Sequence, residues 1–302
     1  MKKKILYSLS IVLILIFGYP IGYFVSHETK SNQKSLEKAR VDFSDTPEVF
    51  IINLDRSKER FEKIQPLVLQ LGFPTKRISA IDGSKLQEQD SKEKVDEKQY
   101  LKLMGDFPKK GTIGCSLSHI KTWEKFLASD SQYAIVFEDD VSFDPEKLKK
   151  VVHELIQNKQ LWDIVTFEIH RHGNPLTLKK LQNNQELVVY LTEITDAGAY
   201  IINRNAAKTL LEQALPINIP IDLYYGRGWE FGLKFTGIEN SRLVYQTFGD
   251  SEIRNTKSIP HKKNTASKNI TFRIHKGIFR IQTMIIRFFY NLKIYLQFKE
   301  NN

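Results

Sequence analysis

The feature that most constrains the fold is an apolar run that leads directly into three acids. Residues 133–137 are all apolar or aromatic, and Glu138, Asp139 and Asp140 follow them. Such a run predicts a buried β-strand that is covered on both faces, as in a parallel sheet. Asp144, followed by a proline, then supplies the N-cap of a helix. The sequence therefore predicts an α/β fold with the acids at the carboxyl end of a central strand.

Acids in that position indicate a cation site. Open α/β sheets bind ligands at the carboxyl ends of their strands, and adjacent carboxylates repel one another unless a positive charge compensates them. A divalent metal that carries a diphosphate is the natural candidate. The residues alone leave one alternative open, namely that the acids only cap the following helix.

The rest of the chain alternates between strand and helix patterns. Further strands are predicted at Val49–Leu54, Arg77–Ile81, Asp163–Phe167, Leu187–Leu191 and Ala199–Ile202. This alternation predicts a mainly parallel sheet with flanking helices. The polar stretch from Ser84 to Lys110 predicts a mobile loop or a short exposed helix that could close over a substrate.

Seven segments, in this order, resemble the signatures of glycosyltransferase family 25, the lipooligosaccharide galactosyltransferase type. They are Val49–Arg60, Arg77–Gly83, Gly111–His119, Glu138–Asp140, Asp196–Ile202, Pro220–Asp222, and Leu243–Gln246 with Asp250–Ile253. One departure concerns the third signature, where the family usually has an acid and this chain has Thr112. That departure keeps open a second interpretation, a catalytically inactive, membrane-tethered glycan-binding protein on the same fold.

The resemblance implies a GT-A-like fold and an inverting glycosyltransferase. Such an enzyme would move a hexose, with galactose as the first candidate, from a UDP-sugar to a cell-surface glycan such as lipooligosaccharide. Its partners would be the nucleotide-sugar donor and a glycan or glycolipid acceptor. Glu138 and Asp140 occupy the outer positions of an Asp-x-Asp-like motif and would bind Mn²⁺ or Mg²⁺, ions that prefer hard oxygen ligands.

The same resemblance indicates where the donor would bind. Asn53, Arg56 and Asp82 follow the first two strands, where the nucleoside and its phosphates would dock, and an arginine can form two parallel bonds to a phosphate. Arg60, one helical turn later, is expected at the surface. His119 lies in a matched signature, and it is either a hydrogen-bonded core residue or a substrate contact.

Inversion requires one carboxylate base on the acceptor side of the site. Asp222 and Glu230 are the candidates, although an aspartate after a proline is also an ordinary helix cap. The chain has one cysteine, Cys115, so the fold depends on no internal disulfide. We expect Cys115 to be a small packed residue rather than a nucleophile.

The N-terminal residues predict a membrane anchor. Ile5–Val25 comprises 21 residues without a charge, and a helix of that length spans roughly the 30 Å core of a bilayer. We expect an uncleaved anchor at residues 1–25 and a stalk at 26–46, because a cleaved signal peptide has a shorter apolar region. UDP-sugars are made in the cytosol, which favours a bacterial inner membrane with the catalytic domain (47–255) facing the cytoplasm. The Lys2–Lys4 cluster favours the opposite orientation.

The C-terminal segment, residues 256–302, is strongly basic. From residue 251 onward there are eleven Lys and Arg against two Glu, nearly all of the chain's net charge of +10. Arg273, Lys276, Arg280 and Arg287 share one helical face and the apolar residues share another, which predicts a basic amphipathic helix on an anionic membrane surface. The alternative is a helix packed on the domain with a solvated basic face. Nucleic acid is not expected, because the charge is confined to this tail.

Overall fold

The computed structural model describes residues 44–167, 173–239, 243–247 and 270–300. The strands are β1 (Glu48–Asn53), β2 (Thr75–Ser79), β3 (Tyr133–Glu138), β4 (Val141–Phe143), β5 (Ile164–Thr166), β6 (Pro175–Lys180), β7 (Glu186–Tyr190), β8 (Ala199–Asn203), β9 (Phe235–Glu239) and β10 (Val244–Gln246). The helices are α1 (Lys58–Gln70), α2 (Glu88–Lys94), α3 (Glu97–Met104), α4 (Lys110–Leu127), α5 (Pro145–Gln157), α6 (Arg204–Leu211), α7 (Ile221–Tyr224), α8 (Gly228–Phe231) and α9 (Ile270–Glu300). Short 3₁₀ turns occupy Gly83–Lys85 and Lys159–Leu161.

Eight strands form one mixed sheet in the order β2-β1-β3-β8-β5-β9-β7-β6, and β4 pairs with β10 in a separate ribbon. The pairs β2-β1, β1-β3 and β5-β9 are parallel. The pairs β3-β8, β8-β5, β9-β7 and β7-β6 are antiparallel. The α/β fold with flanking helices is confirmed, but the prediction of a mainly parallel sheet is wrong.

The second half of the sheet explains that error. β6 and β7 form a hairpin whose turn holds Asn183 and Asn184 at φ 57° and 59°, the left-handed region that hairpin turns require. Residues 191–198, between β7 and β8, contain no helix. Parallel neighbours need a long crossover, usually helical, and this part of the chain does not supply one.

The central strands are buried on both faces, as the apolar run predicted. In β1, Val49 and Ile51 belong to the core under α1 and α5, whereas Phe50 and Ile52 belong to the core under α4. β3 alternates between the same two cores. Each large apolar side chain buried in this way contributes about 1.5–3 kcal/mol, so the two helix layers hold the sheet between them.

The stretch from Ser84 to Lys110 differs from its prediction. α2 is largely exposed, which fits the predicted short exposed helix. α3 packs into the core instead, because Tyr100 and Leu103 on one of its faces are buried with Val95 just before it. Because α3 is part of the core, the stretch from Ser84 to Lys110 does not form a lid as a whole.

The predicted anchor at residues 1–25 and nearly all of the predicted stalk lie outside the described residues. Within the described ranges, no helix combines the length and the apolar character that a membrane crossing requires. The domain boundaries, the anchor and its orientation stay predictions.

The C-terminal helix forms as predicted and packs on the domain, as in the packed-helix alternative, but its basic face is only partly solvated. Thr283, Arg287 and Asn291, spaced four residues apart, are buried against the domain. Asn291 Nδ2 donates to the carbonyl oxygen of Tyr190 at 2.6 Å. The basic side of α9 thus packs inward in part, whereas the sequence predicts it on an anionic membrane surface and the alternative has it solvated.

Candidate active site

Three strand ends and one helix start meet at a single cavity. Because β2, β1 and β3 are parallel neighbours, the residues that follow them lie at the same edge of the sheet. They enclose, with the first turns of α4, a cavity of about 110 Å³. Of the predicted site residues, the cavity lining includes Arg56, Asp82, Glu138 and Asp140. This space is called the donor cavity below.

Small residues at the start of α4 allow this close approach. A Cβ atom on Gly114 would lie 2.6 Å from the carbonyl oxygen of Ile81 and 2.7 Å from the nitrogen of Gly83. Ser118 Oγ accepts a hydrogen bond from the Ile81 nitrogen at 2.8 Å and donates to the Gly114 carbonyl at 2.7 Å. The third signature therefore fixes the loop after β2 against the helix.

Gly114→Ala is expected to destabilise the protein by about 1–3 kcal/mol, because the added methyl group meets backbone atoms that cannot rotate away. Chemical denaturation of the full chain would measure this loss. Gly277→Ala is the matched control, since a Cβ there meets nothing within 4 Å. Equal stabilities of the two variants would contradict the close-packing argument.

A hydrogen-bonded chain orients Glu138 from behind the cavity. Trp123 Nε1 donates to the Tyr200 hydroxyl oxygen at 2.9 Å, and that hydroxyl lies 3.0 Å from His119 Nδ1. His119 Nε2 lies 3.2 Å from Glu138 Oε1. Since the carboxylate only accepts, we assign the imidazole proton to Nε2, and Tyr200 then donates to Nδ1. His119 is completely buried, so it positions Glu138 rather than lining the cavity.

Cys115 also donates to Glu138, with Sγ 3.5 Å from Oε1. Burial alone would raise the pKa of Glu138, but the hydrogen bonds from His119 and Cys115 outweigh it and lower that pKa. Burial and the Glu138 charge raise the pKa of the Cys115 thiol well above its usual range, which opposes a nucleophilic role. The ligand atoms of these three side chains lie within 4.8 Å of one another. A metal held there would require the thiolate, the form that the surroundings disfavour.

The neighbouring acid, Asp139, is held by two donors. Asn53 Nδ2 donates to Asp139 Oδ2 at 2.6 Å, and Arg60 Nη1 lies 3.2 Å from Asp139 Oδ1 and 3.5 Å from Asp140 Oδ2. The expectation that Arg60 is only a surface residue is therefore wrong. α1 begins at Lys58, so its first turn carries Arg60 back over the strand ends. The spacing of one helical turn after Arg56 was the sequence signal that could have found it.

Asp140 has the surroundings that best fit a ligand of a cation. Its Oδ1 is buried and has no hydrogen-bond partner among the described residues. Burial, with the charges of Glu138 and Asp139, raises the pKa of Asp140 to about 7. A buried carboxylate of this kind needs a positive partner. The all-oxygen donor set of Glu138 and Asp140 fits Mn²⁺ or Mg²⁺.

The helix-cap alternative for the acids is wrong. The N-cap of α5 is Asp144, whose Oδ1 accepts from the Lys147 nitrogen at 3.1 Å. Residues 138–140 do not cap this helix and instead line the donor cavity.

The predicted donor contacts divide into two groups. Arg56 and Asp82 pair with each other at the cavity, where the Arg56 side chain is 47% exposed. Asp82 also accepts from the Ser84 nitrogen at 3.0 Å and starts the 3₁₀ turn. Asn53 is buried below the cavity, and its Oδ1 accepts from Arg77 Nε at 2.8 Å. Asn53 thus holds the strand ends together and is not part of the cavity lining.

The two candidate bases have different surroundings. Asp222 lies in the first turn of α7, whose N-cap is Pro220, so it does not cap that helix. Burial raises the pKa of Asp222, and the negative charge of Glu138 adds to this effect. Glu230, on α8, accepts from Arg227 Nε at 2.6 Å, and its side chain is 40% exposed. Neither residue lines the donor cavity.

These features define a class of α/β protein with three adjacent acids and two arginines around a cavity at the carboxyl edge of its sheet. The family profile described as "Glycosyltransferase family 25 (LPS biosynthesis protein)" matches residues 46–225. The chain belongs to this family.

Curated relatives agree with that membership. A "Glycosyltransferase 25 family member" of Aedes aegypti is 30% identical over 190 residues, which is 58% of this chain and 30% of the relative. "Procollagen galactosyltransferase 1-A" of Xenopus laevis is 26% identical over 186 residues, with the same two shares. "Probable inactive glycosyltransferase 25 family member 3" of Bos taurus is 28% identical over 194 residues, again with the same shares. The chain thus spans about 30% of the length of each of these relatives.

Proposed function

We propose that this protein is an inverting glycosyltransferase that moves a hexose from a UDP-sugar to a cell-surface glycan such as lipooligosaccharide. The observation that carries this proposal is the buried Asp140 Oδ1, which lacks a hydrogen-bond partner among the described residues at the shared edge of β1, β2 and β3. Family membership supports the reaction class. The name of the Xenopus laevis relative supports galactose as the first sugar to test.

The residues at the cavity have separate tasks in this proposal. A divalent cation bound by Glu138 and Asp140 would supply positive charge for the diphosphate leaving group. Arg56 lines the cavity and can donate two parallel hydrogen bonds to a phosphate. Arg60 lies beside Asp139 and Asp140 and offsets part of their mutual repulsion. His119 fixes the direction of Glu138.

Asp222 is the proposed base of the transfer step. The acceptor hydroxyl oxygen attacks the anomeric carbon as its proton passes to the Asp222 carboxylate. The bond between that carbon and the diphosphate oxygen breaks, and the nucleoside diphosphate leaves with the electron pair. Attack from the face opposite the leaving group inverts the anomeric centre. Burial raises the pKa of Asp222, which makes its carboxylate a stronger base.

The rival function is an inactive, membrane-tethered glycan-binding protein. Thr112 and the Bos taurus relative with "probable inactive" in its name favour it. Thr112 lies in the first turn of α4 and is half-buried, and the cavity lining includes its neighbour Gly111 but not Thr112 itself. The departure therefore leaves the carboxylate cluster intact, which favours the enzyme.

The full-length protein in detergent, incubated with a panel of UDP-sugars and Mn²⁺, separates the two functions. We expect one donor to be bound and slowly hydrolysed, and we expect chelation with EDTA to stop this turnover. Release of UDP is the measurement. If no donor is bound or hydrolysed, the enzyme proposal fails and the glycan-binding protein takes its place.

We also propose that the protein is anchored by Ile5–Val25 in a bacterial inner membrane with its catalytic domain in the cytoplasm. The cytosolic origin of UDP-sugars supports this orientation. Reporters fused after Asn302 test it, and we expect an active cytosolic reporter with silent alkaline phosphatase. Active alkaline phosphatase at that position would reverse the assignment.

A further inference from the structure

A second cavity, of about 370 Å³, lies between α9 and the domain. Its wall is made by the end of α3, the residues after β7, the α7 region and α9. Arg227, Arg280 and Arg287 contribute to the lining; Glu193, also in the lining, pairs with Arg287, and Glu230 pairs with Arg227, so three cations face two carboxylates. Positive charge therefore exceeds negative charge in this space, which is called the arginine cavity below.

Two of these arginines are fixed in place by an indole ring. The guanidinium carbon of Arg227 lies 5.1 Å from the Trp229 ring centroid, and that of Arg287 lies 4.5 Å from it. Both arginines are 7% exposed. Arg287 Nη2 also donates to Glu193 Oε2 at 3.0 Å. Stacking and pairing of this kind hold guanidinium groups rigidly, and the rigid guanidinium fork matches the geometry of carboxylate and phosphate groups.

Arg280 differs from the other two. It is exposed and makes no hydrogen bond or ion pair with the residues that the structure describes. Its charge is therefore available to a ligand in the cavity, and its replacement removes no contact on which the fold depends.

The position of the arginine cavity relates it to the proposed reaction. Leu223, the neighbour of Asp222, contributes to its wall. Asp222 is also near enough to Glu138, which lines the donor cavity, for that negative charge to raise the pKa of Asp222. The candidate base is thus close to both cavities, and an acceptor hydroxyl must reach it to attack the donor.

We propose that the arginine cavity binds the acceptor sugar through an anionic substituent, either a phosphate or a carboxylate. This inference rests on the proposed function and names its acceptor class. Cavities of about 300–1,000 Å³ are typical for small ligands, so a charged sugar fits the space. α9 lies beyond residues 46–225, so this part of the site comes from outside the matched region.

The test uses the full-length protein with galactose 6-phosphate, glucuronate and neutral galactose as probes. Binding is followed by tryptophan fluorescence, because the Trp229 ring contacts two of the arginines. We expect the anionic sugars to bind and the neutral sugar to bind at least about tenfold more weakly, the effect of one charge-assisted hydrogen bond. Arg280→Gln should weaken anionic binding by a similar factor, whereas Lys293→Gln, at an exposed position of α9, should not.

Three results would decide against this inference. Equal binding of galactose and galactose 6-phosphate would show that no anion is recognised. An unchanged affinity of Arg280→Gln for the anionic sugars would show that they do not bind in the arginine cavity. Displacement of the sugar phosphate by UDP would place it in the donor cavity. If UDP fails to bind while the anionic sugars still bind, the proposed glycosyltransferase function fails. The assignment of the arginine cavity as an anion-binding site is then still supported.

A different observation concerns the outer side of α9. Eleven large hydrophobic side chains are exposed among the described residues, and eight of them belong to this helix. Six of the eight form what is called the outer apolar face: Ile274, Ile278, Ile281, Phe288, Phe289 and Leu296. Soluble helices bury such a face, and an exposed patch of this kind marks an interaction surface.

The inward packing of polar residues explains the exposure. Arg287 and Asn291 pair with the domain, so the apolar residues on the opposite side of the helix point away from it. Lys293 and Lys299 are exposed along the same helix.

We infer that the outer apolar face inserts into the surface of an anionic lipid bilayer. Charge complementarity selects this occupant, because an apolar helix face bordered by cations suits the boundary between acyl chains and anionic headgroups. A second copy of the chain is disfavoured as the occupant. From residue 251 onward the segment carries eleven Lys and Arg against two Glu, and two such segments would repel each other.

Full-length Phe289→Trp in vesicles of phosphatidylglycerol and phosphatidylcholine with brominated acyl chains tests this contact. Phe289 is 64% exposed, so the substitution removes no core packing. Leu69→Trp, at a position 58% exposed on α1, is the matched control that keeps every other membrane contact. With the parent protein as background, we expect bromine quenching at position 289 and none at position 69, and less quenching without phosphatidylglycerol.

Equal quenching at the two positions would overturn the inference. An indole at position 289 that is shielded from water but not quenched by the brominated lipid would overturn it in favour of a protein partner or a second copy. An indole there that stays accessible to iodide in vesicles would show that nothing covers the face.

Discussion

Asp140→Asn is expected to reduce metal-dependent turnover by roughly 10²-fold or more, the usual effect of removing a group that stabilises charge in the transition state. The amide keeps the volume of the carboxylate but removes the charge that a divalent cation requires. Because Asp140 is buried beside Glu138 and Asp139, losing its charge also removes repulsion. The thermal midpoint of the metal-free protein should therefore be unchanged or slightly higher. UDP release and the stabilisation of the protein by Mn²⁺ are the measurements.

Asp144→Asn provides the matched control for this variant. Asp144 caps α5 by accepting from the Lys147 nitrogen, and asparagine caps a helix about equally well. Its turnover and its response to Mn²⁺ should equal those of the parent protein. An unchanged rate in Asp140→Asn would show that the acid cluster holds no catalytic cation.

The position of the acid cluster could be predicted from the sequence because it depends on local pattern and one topological rule. An apolar run without polar interruptions requires cover on both faces, and β3 has such cover. The carboxyl ends of parallel neighbours then meet at one edge, which brings Arg56 and Asp82 to Glu138.

The second half of the sheet could not be predicted in the same way. Pro175–Lys180 shows little apolar character because β6 is the edge strand, and one neighbour is enough to hold it. Because the sequence pattern does not predict β6, it does not predict the hairpin either, and the alternation of strands and helices favours a mainly parallel sheet. The register of such strands depends on turn geometry rather than on their own composition.

Partners far apart in the chain account for the remaining errors. His119 is oriented by a hydrogen bond with Tyr200, which is 81 positions away in the sequence. The sequence signature therefore identifies His119 but does not predict that it positions Glu138. The amphipathic pattern of α9 predicted two faces correctly. Which face packs inward is decided by Glu193 and Trp229, whose contacts with Arg287 are tertiary.

Asp222→Asn is expected to lower kcat by about 10²–10⁴-fold, the range that a positioned general base contributes. Donor binding should be unchanged, because Asp222 is not part of the donor cavity lining. The amide occupies the same partly buried space, so the protein should fold normally. Initial rates at varied acceptor and donor concentrations measure kcat and both KM values, and UDP binding is measured separately.

Glu230→Gln is the comparison that makes this prediction selective. The side chain is 40% exposed and pairs with Arg227, and a partly exposed ion pair contributes at most about 1 kcal/mol. Turnover should therefore change only a few-fold. The opposite pattern, with Glu230→Gln inactive and Asp222→Asn active, would identify Glu230 on α8 as the base. A rise in acceptor KM at constant kcat in Asp222→Asn would show that Asp222 binds the acceptor, because only a base that takes the proton in the transition state lowers kcat itself.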